Sequence, residues 1–557
     1  MRISPRSLPR LLVSGLTALG LGLSACGSPE VGSDDRGDRI EIGTTSTIVT
    51  LDPADAYDVA SNLAIYNLGD RLYRYSADGI DLEPSLATAL PDISDDGLTY
   101  TIPLRPGVKF HDGTDFNAEA MAFSLRRFIE NKGRAAFLID GLLEEIEVTG
   151  EYELTLTLAY PFAAFTDLLT YPGLCAVSPA AYELAEGEFE PNTFVGTGPY
   201  ELANYGSDSL QLDVFEDYWG ELPVNDGIDL QRFSSAANLY NAFRSEAIDV
   251  AYRALDPDQV RSLVDLADDP DGGWQVISTE SPVISYLVIN AQQPPFDRVE
   301  VRRALAAALD RDLLNDRVFY GQATPLYSLI PPSFPVSEPV FAERYDREPN
   351  LDRAREMLTD AGFTPANPLE LEIWYGSNSP TARLAAIVFQ AQADRDFGSL
   401  LKVKPNGVEA ATAYGYLDKG VYPSFLLSWY ADFFDADNYL KPFLECAEGS
   451  IETGCVLGES QYHGSFFYSA RANELVEAQR QETDPDKRAE MLAELQAIVA
   501  DEVPYLPLWQ SKDYAFAQSD IDGVQLSATQ QILPFATIQT RSDESVRSSQ
   551  SPSGGDR

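Results

Sequence analysis

Only one stretch of this chain is apolar enough to meet a membrane, and it constrains everything after it. An uncharged, mostly apolar run from Leu11 to Leu23 follows Arg2, Arg6 and Arg10. It is shorter than the roughly 20 residues a spanning helix needs, and its cationic flank suits a cleaved export signal. No second candidate span follows, so the remainder is expected to fold as a water-soluble body outside the cytoplasm.

The run ends Leu23-Ser24-Ala25-Cys26, which resembles a lipobox. Residues 1–25 are read as a lipoprotein signal peptide, with Cys26 the lipidated first residue. Residues 26–38 are rich in Gly, Ser and Asp and lack apolar periodicity, the pattern of a flexible tether to the membrane. Export places Cys175, Cys446 and Cys455 in a disulfide-permissive space. The Gly- and Ser-containing loop between Cys446 and Cys455 closes easily, which favours a bridge there and leaves Cys175 a buried free thiol. A pairing through Cys175, or reduced thiols, are the alternatives.

Composition limits the partners. With 87 Asp plus Glu against 40 Lys plus Arg, the formal charge of -47 excludes nucleic acid. Hydrophobic residues at 44% are enough for large cores, so the charge does not signal disorder. A chain of 557 residues implies two to four domains or one large discontinuous body with a cleft. Lys accounts for only 8 of the 40 bases, leaving 32 Arg. A Lys-poor acidic surface resembles those of proteins working in high salt, where screening tames self-repulsion. The alternative is an acidic exported protein whose charge serves solubility.

The patterning is mixed α/β, without repeats or heptads. Leu154, Leu156 and Leu158 alternate with Glu153, Thr155 and Thr157, which predicts a half-buried strand. Ile284–Ile289 and Phe425–Trp429 are more continuously apolar and suit strands covered on both faces. Asn117 is positioned to cap a helix over 118–130 with Met121, Leu125, Phe128 and Ile129 inward. Asp484-Pro485 opens another, with Met491, Leu495 and Ile498 inward, and Val301, Ala304, Leu305, Ala308 and Leu309 form a third stripe. The segment 541–557 is expected to be disordered.

Catalytic constellations are checked by subtraction. No Gly-Lys pair exists to form a phosphate-binding loop, Gly-x-Ser-x-Gly is absent, and His111 and His463 are the only histidines. No CxxC occurs, so no zinc site is expected. Asp432-Phe-Phe-Asp435-Ala-Asp437-Asn438 lacks the Gly and terminal Glu of a calcium loop. His111, in Phe-His-Asp-Gly-Thr, reads as a turn residue. The chain is therefore read as a non-enzyme, with no metal and no cofactor. What stands out is Trp429, Tyr430, Asp432, Phe433, Phe434 and Tyr439 near the end of one strand. A carboxylate among rings there suits a ligand ammonium, through an ion pair and cation–π attraction; the alternative is that Asp432 caps a helix or turn.

Several blocks together resemble the bacterial extracellular solute-binding proteins of family 5, the oligopeptide, dipeptide and nickel receptors of ABC importers. They are Asp96-Gly97-Leu98-Thr99-Tyr100 with Leu104–Thr114, Val195–Tyr200, Pro295-Phe296-Asp297 leading into Val301–Leu305, Ala354–Leu358 with Ala361-Gly362-Phe363, and Val503–Trp509. The resemblance covers about 40–540. It implies an α/β, two-lobed periplasmic-binding-protein fold (type II, cluster C) with an extra inserted domain and a hinge. Lobe one would comprise 39–70, 194–285 and 512–540, the extra domain 71–193, and lobe two 286–511. The Arg105–Thr114 and Gly196–Tyr200 blocks would be mainly structural.

Peptide-binding members hold an extended ligand by its backbone and fix its ammonium with an Asp after a Trp-x-x pattern, matched here by Trp429-Tyr430-Ala431-Asp432. The resemblance thus implies Asp432, Trp429, Tyr430 and Ser428 as ligand-binding residues. Tyr414 joins them, and Thr45 and Ser46 are candidates for the opposite wall. Dipeptide receptors clamp the ligand carboxylate with an Arg after the strand matching Leu371–Trp374; here Tyr375–Ser379 carries none, and the next is Arg383. Longer peptides fit better. The implied partners are a peptide-like solute, permease subunits with a separate ATPase, and the membrane through the N-terminal lipid, the receptor itself being a monomer. A nickel chelate, haem or an oligosaccharide on the same fold is the alternative, and a secreted hydrolase or a chaperone a more distant one.

Overall fold

The computed structural model describes residues 38–541, apart from 77–79, 254, 268–271 and 531. The expected signal peptide, Cys26, the tether through residue 37 and the tail from 542 lie outside the described residues.

Two long antiparallel strands, Trp274–Ile289 and Tyr505–Gln518, form the middle of an 11-stranded sheet. On one side lie Ser424–Trp429, Leu369–Gly376 and Leu401–Val408; on the other lie Val250–Tyr252, Ile40–Thr44, Gly227–Arg232, Ser209–Val214 and Tyr200–Tyr205. The pairing of the long strands slips between Glu280 and Ile284. Pro282 falls in that break, where its missing N–H costs no ladder bond. The carbonyls exposed by the break are taken up by side chains: Gln510 Nε2 donates to Ser281 O (2.8 Å) and Tyr439 Oη to Pro282 O (2.6 Å). Before the break the strand Trp274–Ile289 pairs with Lys512–Gln518, and after it with Tyr505–Gln510 and with Ser424–Trp429. Two strands therefore join the halves of the sheet at one place.

Separate cores flank this junction. Ile284, Val288, Leu305, Phe425, Leu495 and Tyr505 belong to the largest. A second holds Ile40, Ile42, Leu212, Ile228 and Ala515, and it also takes Cys175, Val177 and Tyr182. A third surrounds the four-stranded antiparallel sheet of Asp92–Ile93, Thr99–Pro103, Glu153–Leu158 and Leu143–Gly150.

Local signals explain the elements. Leu154, Leu156 and Leu158 all point into the third core. The helix Ala118–Glu130 starts where Asn117 Oδ1 accepts from Ala120 N at 3.0 Å, satisfying an otherwise orphan donor. Val301, Ala304, Leu305, Ala308 and Leu309 are buried. In Pro485–Glu502 the buried stripe is Leu492, Leu495, Gln496 and Val499; Met491 and Ile498 pack half-buried at its margin. His111 is more than a turn residue. Its Nε2–H donates to Gly198 O (3.1 Å) and its Nδ1 accepts from Gly196 N (3.3 Å), so the ring ties two glycine-bearing turns together. Burial pushes its pKa down to about 4, which keeps it neutral.

One contact fixes the segment that enters the cleft. Arg127 makes a bidentate pair with Asp52, 2.7 Å at each oxygen, and both side chains are essentially inaccessible. Asp52 also accepts from Ala54 N and Glu190 N. The loop running on to Tyr57 and Asp58 is thereby anchored to the helix Ala118–Glu130.

A candidate ligand-binding cleft

The strand Ser424–Trp429 delivers the aromatic and acidic residues to a cleft. Its pairing with Leu369–Gly376 covers only Trp374↔Phe425 and Tyr375↔Leu426. Beyond Leu426 the two diverge, and Leu427, Ser428 and Tyr430 line a cavity of about 450 Å³ together with Gly376, Asn378 and Ser379. The other edge of the strand stays paired, Ser428 opposite Ser285 and Trp429 opposite Ile284. One edge of the strand end thus faces open space, the geometry that admits an added extended chain.

Past the strand, Asn438 organises the turn. Its Oδ1 accepts from Trp429 Nε1 and from Asp432 N, both at 3.1 Å, which locks the indole and the carboxylate-bearing residue to one buried amide. The turn's cap is Asp435, whose carboxylate accepts from Asp437 N at 2.7 Å and pairs with Arg488. Asp432 is left to face a cavity of about 660 Å³, walled by Trp429, Tyr430, Tyr414, Tyr57, Tyr171 and His463. The capping role considered for Asp432 belongs to Asp435.

Asp432 hydrogen-bonds to the Tyr57 hydroxyl and to Asn438, yet burial outweighs both and raises its pKa to about 6. It is a desolvated carboxylate short of positive charge. His463 supplies none: burial lowers its pKa, and Nδ1 lies 3.0 Å from Glu459 O. Phe433, Phe434 and Tyr439 do not join the cavity. Phe433 packs edge-on to Phe162, Phe434 stacks on Phe334, and Tyr439 is fully buried.

Of the remaining candidates, Ser428 and Tyr414 line both cavities, Tyr414 being 66% exposed at their rim. Ser46 lines a third chamber, of about 480 Å³, with Arg253, Lys512, Asp513, Tyr514 and Tyr430. Thr45 is half-buried and lines none of the three. Tyr430 borders all three, so they form one cleft. Arg383 is exposed on the helix Pro380–Asp396 and lines none of them. Sequence reading missed Tyr57, Asn438, Arg253 and Lys512; Asn438 had a local signal, its place in the acidic run, and the others had none.

Cys446 and Cys455 are joined by a disulfide with Cα atoms 5.7 Å apart, and Cys175 is a buried free cysteine. Among the described residues no three His, Cys, Asp or Glu converge as metal ligands, and no helix is long and apolar enough to cross a membrane.

Residues 81–450 match the profile of bacterial extracellular solute-binding proteins, family 5 middle region. The chain belongs to this family. The glutathione-binding protein GsiB of Salmonella typhi is 29% identical over 511 residues, 88% of this chain and 92% of that protein. The same architecture recurs in the Helicobacter pylori periplasmic binding protein DppA in complex with peptide STSA (23% identity, 91% of this chain and 98% of that one, TM-score 0.72). It recurs again in Brucella suis NikA with Fe(III)-EDTA (20% identity, 90% and 100%, TM-score 0.78). The molecule is a two-lobed binding protein of mixed α/β structure.

Proposed function

We propose that this chain is the lipid-anchored receptor of an ABC importer and captures short peptides with a free N-terminus, passing them to a permease driven by a separate ATPase. The observation that carries the peptide reading is Asp432: a desolvated carboxylate, set among rings, beside a strand edge with no ladder partner among the described residues. An extended peptide satisfies both at once, its ammonium at Asp432 and its backbone along Leu427–Tyr430. Ser428, Trp429, Tyr430 and Tyr414 supply the nearby wall, and Ser46 the far one, with Thr45 behind it. Side chains would project into roomy, hydrated space, so sequence identity matters little.

We take lobe one as 39–70, 194–285 and 512–540, lobe two as 286–511 and the extra domain as 71–193. The packing of Cys175, Val177 and Tyr182 with Ile40 and Ile42 argues for ending the extra domain nearer 175. Closure about the two-strand junction would enclose the ligand. Glutathione falls within the ligand class, being itself a short peptide, and the GsiB relatives make it a ligand to try early.

The test is calorimetry with a tetrapeptide, its N-acetylated twin and glutathione. Binding of the free peptide with a much weaker twin is expected. Equal binding of the twins removes the ammonium anchor, and no binding by any of them removes the peptide reading.

A further inference from the structure

The turn that carries Asp432 also divides two adjacent aromatics between two bodies. Among the described residues, Phe433 is the one buried member of the third core from outside 72–176, and it meets the Phe162 ring edge-on with centroids 6.0 Å apart. Tyr75 crosses the other way. It is the one buried member of the largest core from before residue 284, and it lies edge-on to Phe434 at 6.1 Å. The extra domain and lobe two thus each seat a ring of the other. Beside these crossed rings the Arg480 guanidinium lies 4.4 Å from the centre of the Phe162 ring, and Ala163 N donates to Arg480 O at 2.7 Å.

The extra domain is tied to lobe one by contacts of another kind. The buried Arg127–Asp52 pair, the His111 ring between Gly196 and Gly198, and the packing of Cys175 with Ile40 make those two a single body. Opening about the two-strand junction leaves that body whole and draws it off lobe two, so Phe433 must leave the third core and Tyr75 the largest. The charges at this seam are paired within their own sides. Arg488 and Arg480 pair with Asp435 and Asp437, all in lobe two, while the Tyr75 hydroxyl donates to Asp167 within the extra domain at 2.9 Å. What crosses is rings, a cation–π contact, the Ala163 bond and a bond between the Phe434 backbone and the Tyr75 hydroxyl. Such contacts part and re-form without breaking an ion pair, whereas parting Arg127 from Asp52 would strand both.

We propose that the crossed rings of Phe433 and Tyr75 form a latch that holds the extra domain against lobe two while the cleft is shut. The inference rests on the reading of the chain as a receptor that closes on its ligand, and it adds a determinant of affinity that touches no ligand. Asn438 fixes Asp432 N, and Phe433 is the next residue, so a ligand held at Asp432 steadies the backbone that presents the latch ring. A ligand that requires the closed cleft binds more weakly in proportion as the latch is weakened.

Amide hydrogen exchange on the ligand-free exported chain tests the latch without any choice of ligand. The Ala163 amide, bonded across the seam, should be less protected than the amides of Glu153–Leu158, the central strand of the four-stranded sheet. Phe433→Ala and Tyr75→Ala should each speed Ala163 exchange by about 10- to 100-fold and leave that strand unchanged, with Phe433→Leu in between. Tyr75→Ala is the cleaner of the two, because Tyr75 lies outside the turn that holds Asp432. Protection of Ala163 equal to that of the strand overturns the inference, since the seam is then permanent. Equal acceleration of the strand in the variants overturns it as well, since the rings then only stabilise their cores. Calorimetry and stopped-flow with tetra-alanine supply the second arm: both Ala variants should bind more weakly by a similar factor, through faster dissociation with little change in association. Wild-type affinity in both overturns the coupling to the ligand. Failure of tetra-alanine to bind the wild type counts against the peptide reading alone, and the exchange result still stands or falls by itself.

Discussion

Replacing Asp432 with Asn tests the site most directly, because it removes one charge while keeping the shape and the hydrogen-bonding groups facing Tyr57 and Asn438. With its pKa near 6, the carboxylate is about 97% ionised at pH 7.5, so an assay there reads the charged form. An ammonium about 4 Å away in surroundings of effective dielectric about 20 gains about 4 kcal/mol of attraction. Buried, hydrogen-bonded charge pairs lose about 2–5 kcal/mol when one partner is removed. The expected loss is therefore roughly 30-fold to several-thousand-fold in Kd for a peptide with a free N-terminus. Titration calorimetry of wild type and Asp432→Asn, each with the free and the N-acetylated peptide, isolates the charge pair as a double cycle. The acetylated peptide should bind both proteins with similar, weak affinity. Wild-type affinity in the variant, or an acetyl penalty as large in the variant as in the wild type, would refute the assignment.

The same carboxylate makes binding depend on pH: affinity for a free peptide should fall by about tenfold for each unit below pH 6, and the Asn variant should lose that slope. Its raised pKa also acts on the ligand-free fold, whose native state holds a proton that the unfolded chain releases between about pH 4 and 6. Stability is thus lost as pH rises through that window, and Asp432→Asn should melt higher than wild type at pH 7 but not at pH 4. Arg127→Met should cost about 3–5 kcal/mol by chemical denaturation, since it strands Asp52 in the interior, and a cost under about 1 kcal/mol would show that the pair is not what anchors the loop. Losing the Cys446–Cys455 bridge, which closes a sequence separation of 9, should cost about 2.5 kcal/mol, and Cys175 should resist alkylation until unfolding because burial pushes its thiol up to about 12.

Local features of the chain were legible because their causes are local. Alternation placed Leu154, Leu156 and Leu158 inward, and Asn117 began its helix through a bond to a residue three positions on. Asp432 was nameable because Trp429 marks it from within the same turn. Tyr57, Arg253 and Lys512 meet the site only through topology: Tyr57 arrives on a loop held by Arg127, Arg253 at the end of a three-residue strand, and Lys512 on the junction strand. Aromatic density misled for the same reason. Phe433 and Phe434 are closer to Asp432 in sequence than Trp429 is, and Tyr439 lies a few residues on, but the turn directs Phe433 into one core and Phe434 and Tyr439 into another, where both pack on Phe334.

Asn438 shows how a ligand site can be built from residues of unremarkable identity. Its one carbonyl oxygen fixes the Trp429 indole and the Asp432 backbone together, so the ring and the charge cannot move independently. Asp435 and Asp437, the neighbouring acids, have their charge offset by Arg488 and Arg480. In a run of three aspartates only the first faces the cavity, and it does so because the other two are engaged in holding the turn. The acidity that made any single carboxylate uninformative in the sequence is resolved by asking which of them the fold leaves short of a cation.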